Sequence, residues 1–351
     1  MSVPADRRVF FFVPDAIDDP GSVSGGNVYD QHVRDGLRRT GWRVQMVPVP
    51  PDDDLLTTLT LSRLPNGALA LFDGLIAARE SVALRAQAER LRVIILAHMV
   101  TADGREGDAL RAARRIIATS GWTRSEIITR HVSEPGGRVD DVVVAYPGTD
   151  PAATTTASSA GNRLLCVGVV APHKGQDLLL CALAHLTDLE GWTCTFIGSL
   201  DRAAGFVDEL TRASHGTRLT LRATFPGALV GTQLDGAYAS ADLVVVPSRY
   251  ESFGMVVAES LARGIPVLAS RVGGIPEALS NSAGILVAPD DPRALEVALR
   301  RWWASPAQRT QLKEAAVAAR DLARPWSATI AAIATTLDEV SLSGTAVSPW
   351  R

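Results

Sequence analysis

The chain has 351 residues, 46% of them apolar and 21% charged, with a net charge of −3 at neutral pH. That length exceeds one ordinary hydrophobic core and predicts two domains, while the near-balanced charge gives no bulk attraction to nucleic acid or an anionic membrane. No stretch approaches the roughly 20 apolar residues of a membrane-crossing helix, and three cysteines, Cys166, Cys181 and Cys194, lack metal-ligand spacing and fit reduced thiols in a cytoplasmic protein.

Strand-like blocks alternate with helix-like stretches from the start, the pattern of a parallel α/β sheet. The first block, residues 9–13, follows Asp6-Arg7-Arg8 and precedes no small-residue cleavage site, so it reads as a strand and not a signal peptide. A long loop then ends in Ser24-Gly25-Gly26-Asn27 before a helix to about Arg39. This is not the G-x-G-x-x-G dinucleotide fingerprint, which argues against a dehydrogenase. Paired glycines at a helix start allow close backbone approach to an anion or a sugar, with plain loop flexibility as the alternative.

Further strands are expected at 43–47, 68–72, 93–97, 116–119 and 142–145. His98 follows the 93–97 block at the carboxyl end, where parallel α/β sheets place their ligands. Asp73 and Ser120 stand at the matching ends of their strands, each suited to an acceptor contact or to capping the next helix. Asp52-Asp53-Asp54 has the spacing of a metal motif, but it follows Pro50-Pro51 ahead of a helix-like stretch, where acidic side chains favour the dipole; no metal is expected. Arg111, Arg114 and Arg115 form a small basic face, too nearly balanced by acids for membrane docking to be expected.

Residues 151–161 are small and polar and mark a linker. The rhythm resumes with strands expected at 164–167, 194–197, 219–223, 243–246, 266–269 and 285–287, placing Cys166 and Cys194 as small core residues. The only lysines are Lys174 and Lys313. The β-branched strand 243–246 closes at Pro247 and leads through Ser248, Glu251, Ser252, Phe253 and Gly254 into a helix from Met255 to a stop at Gly264-Ile-Pro266. Unpaired N–H groups near Phe253, Met255 and Val256 suit a phosphate. Glu259, just over a turn in, has two oxygens for a vicinal diol such as a ribose.

The run Pro247-Ser-Arg-Tyr-Glu251 to Glu259, continued by Ala262-Arg-Gly264-Ile-Pro266-Val and Gly273-Gly274-Ile-Pro276-Glu277, resembles the E-x7-E signature of retaining nucleotide-sugar glycosyltransferases of family 4 over about thirty positions. The stretch Val167-Gly168 to Lys174-Gly175 is similar to the same family's V-G-R-L-x-x-x-K-G, except that Val169 replaces the usual arginine. The resemblance implies a GT-B fold: two Rossmann-like domains whose parallel sheets face across a cleft. The expected division is an acceptor-side domain at 1–150, a nucleotide-sugar domain at 151–325, and a final segment at 326–351 whose helix, near 327–340, crosses back to the first domain before a frayed tail.

It further implies sugar transfer with retention, independent of a metal or bound cofactor. The expected donor is a nucleoside-diphosphate sugar, UDP or GDP; composition, with a compact first domain and arginine used in place of lysine, points to a small soluble acceptor in bacterial specialised metabolism. By the same resemblance, His98 and Glu251 lie at the reacting sugar and Lys174 at the pyrophosphate. Gly25, Gly26, Gly227, Ser252, Phe253, Gly254, Met255, Val256 and Glu259 border the donor, Gly227 within the loop Phe225-Pro-Gly227 at the nucleobase. Asp73 and Ser120 are acceptor candidates. Either Arg249 or His173 supplies the charge that Val169 lacks, or the donor is held less tightly. A monomer or homodimer without nucleic-acid partners is expected. The alternatives are a sugar-nucleotide binder or partner subunit without turnover, which Val169 favours, and a GT-B nucleotide-sugar epimerase, which needs no acceptor.

Overall fold

The computed structural model describes residues 7–51, 54–101, 104–132, 141–215, 218–279 and 283–342. Asp6, Asp52, Asp53 and the tail from 343 lie outside them. In the first half the elements are β1 (Arg8–Pro14), α1 (Gly25–Arg39), β2 (Arg43–Val49), α2 (Asp54–Arg63), β3 (Leu69–Asp73), α3 (Gly74–Arg79), α4 (Ser81–Gln87), β4 (Arg92–Ala97), α5 (Gly104–Ala112), β5 (Arg115–Ala118), α6 (Gly121–Ile127) and β6 (Val142–Val144). The second half holds β7 (Arg163–Val167), α7 (Gln176–Ala184), β8 (Thr193–Ile197), α8 (Ala204–Ser214), β9 (Ala223–Gly227), α9 (Thr232–Ser240), β10 (Leu243–Val246), α10 (Met255–Ala262), β11 (Val267–Ser270), α11 (Ile275–Leu279), β12 (Gly284–Val287), α12 (Pro292–Ala304), α13 (Pro306–Ala319) and finally α14 (Trp326–Leu342).

The chain divides into two compact units, one of residues 1–18, 26–148 and 326–351, the other of residues 19–25 and 149–325. Each holds a parallel six-stranded sheet, ordered β2-β1-β3-β4-β5-β6 in the first and β12-β11-β10-β7-β8-β9 in the second. Central strands covered on both faces must be apolar throughout, and β3, β10 and β11 are buried along their whole length. In the first unit Phe12 stacks on Phe72 with ring centroids 4.2 Å apart. In the second, Phe196 stacks on Phe225 at 4.6 Å around the fully buried Trp192. Each such ring contributes about 1.5–3 kcal/mol through burial.

Helix α14 belongs to the first unit, where it closes over α1. Gly36 makes room for Ile330, whose side chain a Cβ at 36 would strike. Trp326 stacks on His32 with centroids 3.9 Å apart and meets Tyr29 edge-on at 5.7 Å. Thr329 Oγ1 donates to the Tyr146 carbonyl at 2.7 Å. In the second unit the helix-free stretch after residue 150 is fastened and not a loose tether: Ser158 N and Oγ donate to buried Asp242 at 2.6 and 2.7 Å, and Lys313 Nζ donates to the Thr155 carbonyl at 2.7 Å.

The strand expected at 219–223 is displaced. Arg222 N and Ala223 N both turn back onto the Leu219 carbonyl, at 2.9 and 2.8 Å, so pairing with β8 begins only at Ala223. Phe225, Pro226 and Gly227 are therefore strand and not loop. Pro226 is tolerated because β9 is an edge strand, with no second neighbour for its missing N–H.

Candidate functional site

Both sheets reverse strand order beside their first strand, between β1 and β3 in one and between β7 and β10 in the other. In open parallel sheets the crevice beyond the carboxyl ends at such a reversal is where ligands bind. Most of the candidate residues stand at these two places.

In the second unit, β7 runs into a single 3-10 turn, Pro172–Lys174, and β10 into the loop from Pro247 to Gly254. Lys174 Nζ meets Glu251 Oε2 at 2.6 Å, with the two side chains 23% and 17% exposed, so a ligand can still reach the pair. Ser248 Oγ adds a longer contact to the same oxygen at 3.4 Å. Gly273 and Gly274 hold this loop from behind. Gly274 N donates to the Glu251 carbonyl at 3.0 Å, and a Cβ on Gly273, at φ +52°, would run into that carbonyl. Only glycine allows so close a backbone approach there.

Gly254, at φ +97°, opens α10, whose N-terminus has no side-chain cap. The dipole and unpaired amides of that end, at Met255 and Val256, are an anion site in waiting. Phe253 is half-buried and Ser252 buried in the turn before it. Gly25 groups with this unit, and a Cβ built on it would lie 3.6 Å from Met255 Sδ. Glu259 lies one turn into α10 and receives the hydroxyl of the fully buried Tyr238, on α9, at 2.7 Å through Oε2. Arg263 lies over the Tyr238 ring at 4.4 Å and pairs with Asp235 at 2.6 Å. Burial pushes the Glu259 carboxyl up, and Tyr238 and Arg263 pull it part of the way back. Gly227 ends β9, where its carbonyl accepts from Gly198 N at 3.0 Å.

The expected replacement for the missing cation at Val169 is not where it was sought. Arg249 is committed to Asp177, in a two-pronged contact at 2.8 and 2.7 Å, and to Asp290 at 2.8 Å. Its charge is spent on those carboxylates. His173 is pushed down by burial and by neighbouring Lys174, which disfavours its charged form.

In the first unit, His98 stands beyond β4 and is 9% exposed. Its Nε2 lies 2.7 Å from Asp30 Oδ1 and 3.6 Å from Asp73 Oδ2. Tyr29 meets its ring edge-on at 5.1 Å, and Gly26 leaves room along it, since a Cβ there would sit 3.6 Å from His98 Cδ2. Asp73 caps α3, its Oδ1 accepting from Leu75 N at 2.7 Å and Ile76 N at 3.1 Å. Ser120 likewise caps α6 by accepting from Thr123 N at 2.9 Å. Among the arginines expected to form a basic face, Arg111 is paired with Asp108 and Arg115 with Asp141.

Burial opposes charge on His98, but the Asp30 and Asp73 carboxylates outweigh it and raise the imidazole to about 9. Burial raises Asp30 to about 6, with His98 pulling it down and the neighbouring Asp73 carboxylate pushing it further up. The three side chains offer ligand atoms within 4.8 Å of one another. Of these contacts the one between His98 and Asp30 is a hydrogen bond, and Asp73 stands beside it at ion-pair distance.

Two partners of the candidate residues were not singled out in the sequence. Asp30 carried a signal, because with Val33 and Leu37 it falls at helical spacing on the face of α1 that is buried, where a carboxylate is out of place. Tyr238 carried none, since it meets Glu259 from another helix.

Residues 154–318 match the family described as glycosyl transferases group 1. The D-inositol 3-phosphate glycosyltransferase of Frankia alni is 31% identical over 290 residues, covering 78% of this chain and 65% of that protein. That of Mycolicibacterium vanbaalenii is 32% identical over 206 residues, covering 53% of this chain and 45% of that protein. The chain thus spans about half the length of several curated relatives it matches. Among solved structures, a sucrose-phosphate synthase from Thermosynechococcus elongatus superposes with a TM-score of 0.76 at 20% identity over 95% of this chain and 98% of that one. Anabaena Alr3699/HepE in complex with UDP-glucose does so at 0.73 and 20% identity, over 95% and 99%. The chain has the GT-B fold, and its residues 154–318 are similar to the group 1 glycosyl transferases.

Proposed function

We propose that the chain is a retaining, metal-independent glycosyltransferase of the E-x7-E type, family 4, that moves a sugar from a nucleoside-diphosphate sugar to a hydroxyl of a small acceptor. The observation that carries this reading is the Lys174–Glu251 pair at the strand-order reversal of the second sheet, beside an uncapped helix end with Glu259 one turn on. A diphosphate, a ribose diol and a sugar find there a cation with helix-end amides, the Glu259 carboxylate and the half-buried Glu251 carboxylate, in that order.

In this mechanism Glu259 accepts from the ribose hydroxyls through the oxygen that Tyr238 leaves free. The diphosphate takes Lys174 from Glu251, which frees Glu251 to accept from hydroxyls of the donor sugar. The bond from the anomeric carbon to the phosphate oxygen breaks while the acceptor oxygen bonds to the same face of that carbon. The acceptor proton passes to the departing phosphate oxygen, whose charge Lys174 and the α10 amides offset. The first unit, with His98 and Asp73, is assigned to the acceptor and the reacting sugar.

Thermal stabilisation by a panel of nucleoside diphosphates, with Glu259→Ala as control, tests the donor half. A ligand at about a hundred times its Kd adds roughly 2.7 kcal/mol. UDP is the first base to try because a neighbour of the fold is bound to UDP-glucose, and an inositol phosphate the first acceptor because relatives carry it in their names. No stabilisation by any base would remove the reading. A second reading, nucleotide-sugar binding without turnover, is favoured by Val169 together with the commitment of Arg249 to Asp177 and Asp290. It predicts stabilisation by nucleotide and no transfer to any acceptor.

A further inference from the structure

The triad in the first unit places a carboxylate where a folding chain gains nothing from it. Asp30 has no exposure, and its Oδ2 is buried without a hydrogen-bond partner. Removing such a group from water is costly unless a counter-charge offsets it. The group that does so is His98, through the 2.7 Å contact at Nε2.

We propose that Asp30 is the positioning residue of His98: it binds the Nε2–H, fixes the ring, and with Asp73 keeps it an imidazolium whose Nδ1–H is the donor offered to a ligand oxygen. Asp73 cannot replace Asp30, since its Oδ1 is occupied by the two amides of α3 and its Oδ2 stands 3.6 Å from the imidazole. Every titratable or charged group facing the ring is then accounted for: Asp30 and Tyr29 from α1, and Asp73 from the end of β3. Gly74, which lies against the backbone at 96–98, has no side chain to add. With both ring nitrogens protonated, His98 has no lone pair and is excluded as a general base toward the acceptor. It meets the ligand as a charged donor, suited to a sugar hydroxyl or a phosphate oxygen.

The proposal deepens the role given to His98, and its test needs no substrate, so its failure is separable from failure of sugar transfer. Long-range 1H–15N spectra of the full chain, with His98 assigned by its loss in His98→Gln or by through-bond correlation, report the state of each ring nitrogen. Both nitrogens of His98 are expected to be protonated at pH 7.5. The midpoint should fall by about one to three pH units in Asp30→Asn, and by less in Asp73→Asn. A midpoint at the ordinary histidine value in the wild-type chain overturns the proposal without any variant, which covers the case that Asp30→Asn does not fold. An unchanged midpoint in a folded Asp30→Asn overturns it as well. So does a stoichiometric metal ion in the purified protein whose removal by chelator protonates Nε2.

Discussion

The contact between Tyr238 and Glu259 makes a prediction in which stability and binding are read from the same samples. Tyr238 has no exposure, and its hydroxyl donates to Glu259 Oε2 at 2.7 Å, a bond to a charged acceptor of about 1.5–3 kcal/mol. Tyr238→Phe keeps the ring and its contact with Arg263, so the expected loss at pH 7 is that bond alone. Glu259→Ala strands a buried hydroxyl, which costs about 1–3 kcal/mol, less what is regained by no longer desolvating the carboxylate. The double variant removes both halves of one interaction and should lose less than the sum, by about 1.5 kcal/mol or more. Urea unfolding of the four proteins, each with and without saturating nucleoside diphosphate, measures both effects. Tyr238→Phe should keep most of the nucleotide stabilisation, while both proteins lacking Glu259 lose it. Losses that add to within about 0.5 kcal/mol, or a Glu259→Ala protein stabilised by nucleotide like the parent, would refute the reasoning.

Three further outcomes are expected. Under the proposed mechanism, where Glu251 contacts the sugar and that contact tightens as charge develops, Glu251→Ala should lower turnover by about 100-fold or more with a far smaller change in nucleotide Kd; steady-state kinetics beside calorimetry would expose an unchanged rate. Gly273→Ala should cost about 1–3 kcal/mol and weaken nucleotide binding, since its Cβ displaces the Glu251 carbonyl. Gly41→Ala, at φ +90° but with nothing within 4 Å, should show only the backbone cost of about 1 kcal/mol, and equal losses at the two sites would remove the contact argument. For pH, His98 is raised from 6.5 to about 9, so the folded chain binds more protons than the unfolded one between those values. Its contribution is complete below 6.5 and disappears as pH rises through about 9, by at most about 3 kcal/mol. Asp30, raised from 3.8 to about 6, adds a downward slope of the same sign at the lower edge of that range. Denaturant midpoints from pH 6.5 to 9.5 should therefore slope downward, and that slope should flatten in Asp30→Asn.

The fold class was legible from the residues because its cause is local. Strands such as Leu243–Val246, buried on both faces, have to be unbroken β-branched runs, and the Pro and Gly residues that end them are stereochemical stops. The same holds for part of the candidate site: a carboxylate, a Phe-Gly turn and a helix start lie within nine residues of one another, so their chemistry could be read in line. The displaced strand shows the limit of such reading. Leu219 to Ala223 has the composition of a strand, but a turn onto the Leu219 carbonyl wins, and pairing with β8 starts where the run ends.

What only the tertiary structure decided is which charge faces which. Lys174 and Glu251 are 77 residues apart and 2.6 Å apart in space, and the link between them is the order of strands in the sheet. Arg249, free to serve as a phosphate clamp on sequence grounds, is turned by the fold onto Asp177 and Asp290. Asp30 was not singled out in the sequence, although it falls at helical spacing with Val33 and Leu37, and that it binds His98, 68 residues away, depends on how α1 packs beside the end of β4. Hydrophobic patterning is written in neighbouring residues; the electrostatic partners of a buried group are set by packing, because in a low-dielectric interior the interaction falls off with distance in space and is indifferent to distance along the chain.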